Sequence, residues 1–230
     1  MIDFHQHYLP APPAYADEPR QAWLYRDSRV QGYCDVGQLT ADMDAAGLDH
    51  VVWQGEYYTQ QPNCVARNAL VTAVAAREPR RFSVYAAVNP QHPDAIAVLQ
   101  DAVARGCVGV GELNPAAQGY TFRDTQVLRT LAWCEAQGLP VLCHVNEPVG
   151  PAYMGKTATG VLPFYELAAR FPGLRLVLAH WGGGLWWYEQ IPAVQRVLAN
   201  VWYDSAAAFF TYPDTGRMAR LAAEIIPHKV

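Results

Sequence analysis

The stretch IDFHQH at residues 2–7 has the pattern of a first β-strand and carries two histidines, His5 and His7. Side chains alternate across a strand, so both imidazoles point to the same side and could reach one ion. Imidazole binds Zn, Fe, Ni and Cu, so the pair indicates a transition metal without choosing one. A pair of polar strand histidines that holds no metal is the alternative.

Working outward from this stretch, apolar strands alternate with single helices along the whole chain. The predicted strands are residues 2–7, 50–54, 82–88, 107–112, 140–144, 174–180 and 201–204, and residues 228–230 resemble the opening of an eighth. The predicted helices are residues 40–47, 63–77, 93–105, 124–137, 161–171, 192–199 and 213–226. This alternation is typical of right-handed βαβ units around a parallel sheet that is buried on both faces.

The number of strands favours an α/β fold of the (β/α)8 TIM-barrel type, in which the chain ends at the start of the eighth strand. An open, doubly wound sheet is the second choice. No G-x-G-x-x-G sequence follows a strand to mark a dinucleotide crevice, and the three glycines at 182–184 lack that spacing.

The composition indicates one globular domain over residues 1–230. The chain has 51% hydrophobic and 17% charged residues and a net charge of -4, without a basic cluster that could follow a nucleic-acid backbone. No apolar run approaches the roughly 18 residues of a membrane span. The five cysteines are scattered and never in C-x-x-C spacing, so we expect a cytoplasmic protein with reduced thiols and no nucleic-acid or membrane partner.

Residues 8–37 contain several prolines and show no periodicity. Long structureless segments in compact domains are usually lids or binding loops, so this segment is predicted to be a lid or active-site loop. A surface excursion without function is the alternative. The helix that follows is predicted to begin at Thr40 as N-cap and to end at Gly47.

Polar residues occur at the carboxyl ends of the predicted strands. They are His5 and His7 (strand one), Glu112 (strand four), His144 (strand five), His180 (strand six) and Asp204 (strand seven). In a closed parallel barrel these ends converge on one face, so the side chains would ring one pocket. Four histidines and Glu112 suit one or two transition-metal ions. Taken singly, His144 or His180 could be a hydrogen-bonded core residue, and Glu112 could cap the next helix.

Four motifs follow one another along the chain: IDFHQH at residues 2–7, GVGELNP at 109–115, LCHVNEPVG at 142–150 and LAHWGGG at 178–184. Together they resemble the amidohydrolase-2 branch of the metal-dependent amidohydrolase superfamily, and the resemblance covers essentially the whole chain. It implies a (β/α)8 barrel with a metal site at the carboxyl ends of its strands.

The resemblance also implies roles for individual residues. His5 and His7 would hold a metal, usually zinc, and His144 would be a further ligand. His180 would be either a second-metal ligand or the catalytic residue that contacts the substrate and moves protons, and Glu112 resembles the bridging carboxylate of two-metal members. We therefore expect a divalent cation as cofactor, with one or two Zn²⁺ ions as the first choice.

One departure from the family pattern concerns the aspartate after strand eight, which binds the metal and serves as general base there. The chain ends at Val230, before any such motif, so a truncated barrel is expected. Asp204 follows strand seven and is not assigned that role. An inactive, metal-free barrel fragment held together by an oligomer is therefore one hypothesis, because unpaired sheet edges can be covered by another chain. A homodimer is the general expectation for such barrels.

The first functional hypothesis is a metal-dependent hydrolase acting on a small amide, lactone or ester. A bound Zn²⁺ lowers the pKa of its water to roughly 7 and polarises the scissile carbonyl. His180 would stabilise the developing oxyanion or protonate the leaving group.

The alternative is a non-oxidative decarboxylase of an aromatic or unsaturated acid, a reaction that the resemblance also implies. Aromatic residues that such a pocket could use are Tyr57, Tyr58, Trp181, Trp186 and Trp187. Core packing is the favoured explanation for at least one of Trp186 and Trp187. Glu147, Lys156 and Trp181 are candidate substrate contacts, with solvent exposure as the alternative for Lys156.

Overall fold

The computed structural model describes residues 1–9, 18, 35–153, 155–208, 212 and 214–229. The chain divides into two compact units. Unit 1 comprises Met1–Leu113 and Ala117–Gly119, and unit 2 comprises Asn114–Ala116 and Tyr120–Val230. A single domain over residues 1–230 stays a prediction.

Unit 1 is a parallel sheet with a helix between each pair of successive strands. Its elements are β1 Ile2–Gln6, α1 Val36–Ala46, β2 His50–Trp53, α2 Gln61–Ala75, β3 Phe82–Ala86, α3 Ala95–Ala104 and β4 Gly109–Leu113. Each strand pairs with the next in parallel, with Asp3 opposite Val51 and Tyr85 opposite Gly109. The predicted βαβ alternation is therefore confirmed in this unit.

The core of unit 1 is aromatic around β2. Trp53, which is fully buried, stacks on Tyr8 at a centroid distance of 4.4 Å and on Phe82 at 4.3 Å. Stacked rings at this separation bury large apolar areas, and each pair contributes about 0.5–1.5 kcal/mol beyond area burial. This packing orders the carboxyl ends of β1 and β2, where the polar side chains begin.

Unit 2 contains three more parallel strands. Its elements are α5 Thr125–Ala136, β5 Val141–Cys143, α6 Leu162–Arg170, β6 Leu176–Leu178, a 3₁₀ segment His180–Gln190, α7 Pro192–Val197, β7 Val201–Tyr203 and α8 Thr215–Ile225. A four-residue helix, α4 Pro115–Gln118, has residues in both units. β5 pairs with β6 and β6 with β7. The 3₁₀ segment was not predicted.

The start of α1 differs from the prediction. Asp35, not Thr40, is the N-cap, and its carboxylate accepts the N–H of Gln38 at 2.9 Å. The Thr40 hydroxyl lies inside the helix and donates to the carbonyl of Val36. Aspartate and threonine are both good caps, so residue type alone did not choose between them. The predicted end at Gly47 is confirmed, because Gly47 adopts the left-handed conformation at φ 67°.

Residues 10–17 and 19–34 of the predicted lid lie outside the described residues, and the lid stays a prediction. Glu18 is described and is buried. In unit 2, the carbonyl of Lys229 accepts the backbone N–H of Tyr203 in β7 at 2.8 Å. Residue 228 lies in a turn and residue 230 is outside the described residues, so an eighth strand that opens there stays a prediction. None of the described helices is long and apolar enough to cross a membrane.

Candidate metal centre

His5 and His7 present their ring nitrogens to one another in unit 1. β1 is extended, so residues two apart share a side of the strand. The two Nε2 atoms lie 3.3 Å apart, and the His5 side chain is almost fully buried. The predicted convergence of these two imidazoles is thus observed.

Glu112 completes a group of three donors. It lies in β4, is 3% exposed, and places Oε2 3.4 Å from His7 Nε2 and 3.7 Å from His5 Nε2. One ligand atom from each of the three residues lies within 4.8 Å of the others. The position of Glu112 is supported by its backbone, whose N–H donates to the carbonyl of Gly55 at 2.8 Å. A Cβ at Gly55 would approach the backbone of Ala87 to 2.4 Å, so only glycine permits this contact.

The spacing of these three donors fits a metal ion. Donor atoms about 2.0–2.1 Å from a tetrahedral zinc lie about 3.3–3.4 Å from one another, and the observed separations are close to that edge length. Two imidazole nitrogens and one carboxylate oxygen also form an ordinary ligand set for zinc, manganese or iron.

Glu56 is a functional candidate that the sequence analysis missed. Its Oε1 lies 3.1 Å from His7 Nδ1, on the side of the ring away from Nε2, and the side chain is 4% exposed. A carboxylate only accepts hydrogen bonds, so this contact places the proton on Nδ1 and leaves the Nε2 lone pair for an ion. Glu56 lies three residues beyond Trp53, the last residue of β2, so a strand-end criterion that includes the first residues after each strand would have found it.

The electrostatic field at His7 favours a cation. Burial would by itself lower the pKa of the imidazole, but the charge of Glu56 and hydrogen bonds to Glu112 and Glu56 outweigh burial and raise the pKa to about 9. In the metal-free site the additional proton on His7 therefore balances part of the negative charge of Glu56 and Glu112, which a bound metal ion would otherwise balance.

His144 and His180 form a second pair of imidazoles, in unit 2. His180 Nε2 lies 3.2 Å from His144 Nδ1. The other nitrogen of each ring faces carbonyl oxygens: His144 Nε2 lies 2.9 Å from the Gly155 carbonyl, and His180 Nδ1 lies 2.6 Å from that of Ala206. Carbonyl oxygens accept, so these nitrogens carry the protons and the two facing nitrogens present lone pairs. Such a pair suits a proton or a cation between the rings.

A family model described as Amidohydrolase matches residues 2–230. The chain belongs to this amidohydrolase family. The resemblance inferred from the four motifs is confirmed. No curated protein matches the chain.

Solved structures with a similar fold include two decarboxylases and one protein without an assigned activity. 5-Carboxyvanillate decarboxylase from Sphingomonas paucimobilis matches with a TM-score of 0.72 at 16% identity, over 98% of this chain and 85% of that one. A dihydroxybenzoic acid decarboxylase from a Polaromonas species, with bound manganese and the inhibitor 2-nitroresorcinol, matches with a TM-score of 0.72 at 17% identity, over 97% and 82%. An uncharacterized TIM-barrel protein from Bordetella bronchiseptica matches with a TM-score of 0.63 at 22% identity, over 96% and 80%.

At these identities the likeness concerns the fold, and it confirms the predicted α/β fold of the TIM-barrel type. As a member of the amidohydrolase family, the chain carries a candidate histidine and glutamate metal site at His5, His7 and Glu112. The identity of the metal is not decided by these residues, because all three donors accept several divalent ions.

In this chain the backbone after β6 is left-handed. His180 and Trp181 have φ values of 57° and 59°, and the glycines at 182–184 continue the same conformation. A Cβ at Gly183 would lie 2.3 Å from the carbonyl oxygen of Asn146, which explains why glycine is required there. The three glycines therefore permit the tight left-handed turn that follows His180.

The predicted substrate contacts have structural partners in unit 2. Lys156 Nζ lies 3.2 Å from Glu147 Oε1 and donates to the carbonyls of residues 149–151, and the side chain is 16% exposed, so Lys156 is partly buried. Tyr153 Oη donates to Glu147 Oε2 at 2.8 Å. Trp181 is 1% exposed. Substrate contact by Glu147, Lys156 and Trp181 stays a prediction.

The aromatic residues that were candidates for the substrate pocket differ in their solvent exposure. Trp186 is buried while Trp187 is 52% exposed, which confirms core packing for one of the pair. Tyr57 and Tyr58 are buried in unit 1. Burial, together with the charges of Glu112 and Glu56, raises the pKa of Tyr57 well above its ordinary value, so Tyr57 is a neutral phenol near the metal candidates.

Proposed function

We propose that this member of the amidohydrolase family is a metal-dependent, non-oxidative decarboxylase of an aromatic carboxylic acid. The observation that carries the proposal is the donor group His5, His7 and Glu112, whose spacing fits a divalent ion. The fold is shared with 5-carboxyvanillate decarboxylase and with a dihydroxybenzoic acid decarboxylase that binds manganese. These relatives support decarboxylation over hydrolysis, the first hypothesis from the sequence.

Bound at this site, Mn²⁺ or Zn²⁺ would hold the oxygen atoms of the substrate and draw negative charge toward itself. His5, His7 and Glu112 are the proposed ligands, and His7 is a neutral donor through Nε2 while its Nδ1 proton stays in the hydrogen bond to Glu56. A ligand role for His144 is proposed on the resemblance of its motif alone.

Decarboxylation breaks the bond between the ring carbon and the carboxylate carbon. Carbon dioxide leaves without the bonding electron pair, which stays on the ring carbon and must take up a proton. We assign this proton transfer to His180. Its Nδ1–H is held by the Ala206 carbonyl, so Nε2 is the atom that can exchange a proton.

The test uses purified protein supplied with Mn²⁺ or Zn²⁺ and a panel of hydroxybenzoates and related aromatic acids. We expect release of carbon dioxide and of the matching phenol in equal amounts. A chelator or the substitution His5→Ala should abolish both. Bound metal without carbon dioxide release from any aromatic acid would contradict the proposal.

Hydrolysis of a small amide, lactone or ester is the second candidate. It is favoured by the description of the matching family as Amidohydrolase. A lactone panel monitored by proton release separates the two candidates, because a hydrolase acidifies the solution without producing carbon dioxide. A chain that binds no metal and turns over neither panel would support the third hypothesis, an inactive, metal-free barrel fragment.

A further inference from the structure

Arg67 is a buried cation that the proposed chemistry does not use directly. It lies in α2 of unit 1, and its side chain is 4% exposed. Its Nε and Nη2 atoms have no hydrogen-bond partner among the described residues. A buried guanidinium is costly unless an opposite charge is near, so the charge that faces Arg67 indicates its role.

The facing charge is Glu56. Arg67 Nη2 lies 3.6 Å from Glu56 Oε1, and the two side chains are equally buried. The same oxygen lies 3.1 Å from His7 Nδ1. Arg67, Glu56 and His7 therefore form one row that ends at the metal candidates, and the shared atom is Glu56 Oε1.

Glu56 is badly placed to be a metal ligand itself. Its carboxylate is on the Nδ1 side of the His7 ring, whereas His5 Nε2 and Glu112 Oε2 are on the Nε2 side, at 3.3 and 3.4 Å from that atom. What Glu56 can do is hold the ring. A carboxylate acceptor at Nδ1 fixes both the tautomer and the orientation of a ligating histidine.

We propose that Glu56 and Arg67 are positioning residues for the metal centre. Glu56 holds the His7 ring so that the Nε2 lone pair faces His5 and Glu112, and Arg67 holds the Glu56 carboxylate in place through their ion pair. This inference rests on the metal site of the proposed function. It adds two residues that set metal affinity without touching the metal.

The experiment measures the Kd for Zn²⁺ by competition with a chromophoric chelator. The proteins are the wild type, Glu56→Gln, Arg67→Met and the double variant. An amide at position 56 can present an N–H to Nδ1, so we expect Glu56→Gln to weaken binding about 10- to 100-fold. Arg67→Met should also weaken binding. In the Glu56→Gln background it should add little, because Arg67 acts through Glu56.

Glu189→Gln is the matched control. Glu189 is a fully buried carboxylate in unit 2 whose Oε2 accepts from Lys229 Nζ at 2.6 Å. Losing its charge should lower thermal stability but leave the Kd for Zn²⁺ at the wild-type value. Metal-free melting curves on every variant separate loss of folding from loss of affinity.

The outcomes distinguish this inference from the proposed function. Wild-type protein that binds no Zn²⁺ or Mn²⁺ would overturn both. If the wild type binds the metal and Glu56→Gln binds it with the same affinity, only the positioning role is overturned. If the losses of affinity in the double variant are fully additive, Arg67 does not act through Glu56. If Glu56→Gln does not fold, Arg67→Lys replaces it: we expect Arg67→Lys to bind more tightly than Arg67→Met, and equal affinities would overturn the role of Arg67.

Discussion

Asp204 supports the strained backbone of His180. The Asp204 carboxylate accepts the His180 N–H at 3.1 Å through Oδ1, and the Asp204 carbonyl accepts the next N–H, that of Trp181, at 2.7 Å. Both donors belong to left-handed residues with φ values of 57° and 59°. A left-handed residue other than glycine costs roughly 1–2 kcal/mol, so these bonds hold the turn that aims the His180 ring.

Removing the Asp204 carboxylate should destabilise this turn. In Asp204→Ala the partly buried N–H groups of His180 and Ala206 lose their shared acceptor, and we expect a loss of about 1–3 kcal/mol in the free energy of unfolding. Asp204→Asn keeps Oδ1 and should lose less. Urea unfolding of the three proteins measures the difference, and equal stability of wild type and Asp204→Ala would refute the role.

Gly183→Ala tests the close approach after β6. The new Cβ would lie 2.3 Å from the carbonyl oxygen of Asn146, and φ is 58°. Overpacking and left-handed strain together should cost more than about 2 kcal/mol. Gly184→Ala is the control, because its φ of 91° is also positive but no other atom lies within 4 Å of the new Cβ. Thermal melts should therefore show a larger drop for Gly183→Ala, and equal drops would contradict the packing argument.

Metal binding should stabilise the protein and require His5. Free Zn²⁺ at one hundred times its Kd should add about 2.7 kcal/mol to the free energy of unfolding. His5→Ala should weaken binding more than about 100-fold, beyond the effect typical of an outer-shell partner. His50→Ala is a matched control, since the His50 ring faces the Arg80 carbonyl and the Ser83 hydroxyl instead. Metal-dependent melts that shift alike in both variants would argue against this site.

Glu18 should contribute to stability through the segment that precedes α2. Its two carboxylate oxygens accept from the Thr59 N–H and hydroxyl, the Gln60 N–H and Asn63 Nδ2, at 2.7–2.9 Å. Charge-assisted bonds near a helix N-terminus are among the stronger ones. We expect Glu18→Ala to cost about 1–3 kcal/mol and Glu18→Gln less. Hydrogen exchange at the Thr59 and Gln60 amides should accelerate in Glu18→Ala, and unchanged exchange would contradict this account.

The cysteines of the described part of the chain should resist alkylation while the protein is folded. Burial raises the pKa of the Cys64, Cys107 and Cys134 thiols to about 12. Because the thiolate is the nucleophile, only about one thiol in ten thousand would be reactive at pH 8. Peptide mapping after iodoacetamide should find these three unmodified in native protein and modified in guanidinium. Rapid modification of Cys64 in the native protein would contradict this prediction, because it would show that the buried thiol readily becomes accessible to the reagent.

The sequence by itself determined the strand and helix alternation, the pairing of His5 with His7 and the family. These features are local: apolar runs between turn residues define strands, and an extended strand places residues two apart on one side whatever surrounds it. For the same reason the end of α1 at Gly47 was predicted, since a left-handed residue there requires no distant partner.

Only the tertiary structure decided which distant groups meet. Glu56 reaches His7 across 49 positions of sequence, and Asp204 holds the backbone of His180 across 24. Each depends on the parallel pairing of strands that carry these residues. A carboxylate in the sequence can cap a helix, hold an imidazole or bind an ion, and the choice among these roles is made by the atoms that the fold brings within 3–4 Å of it.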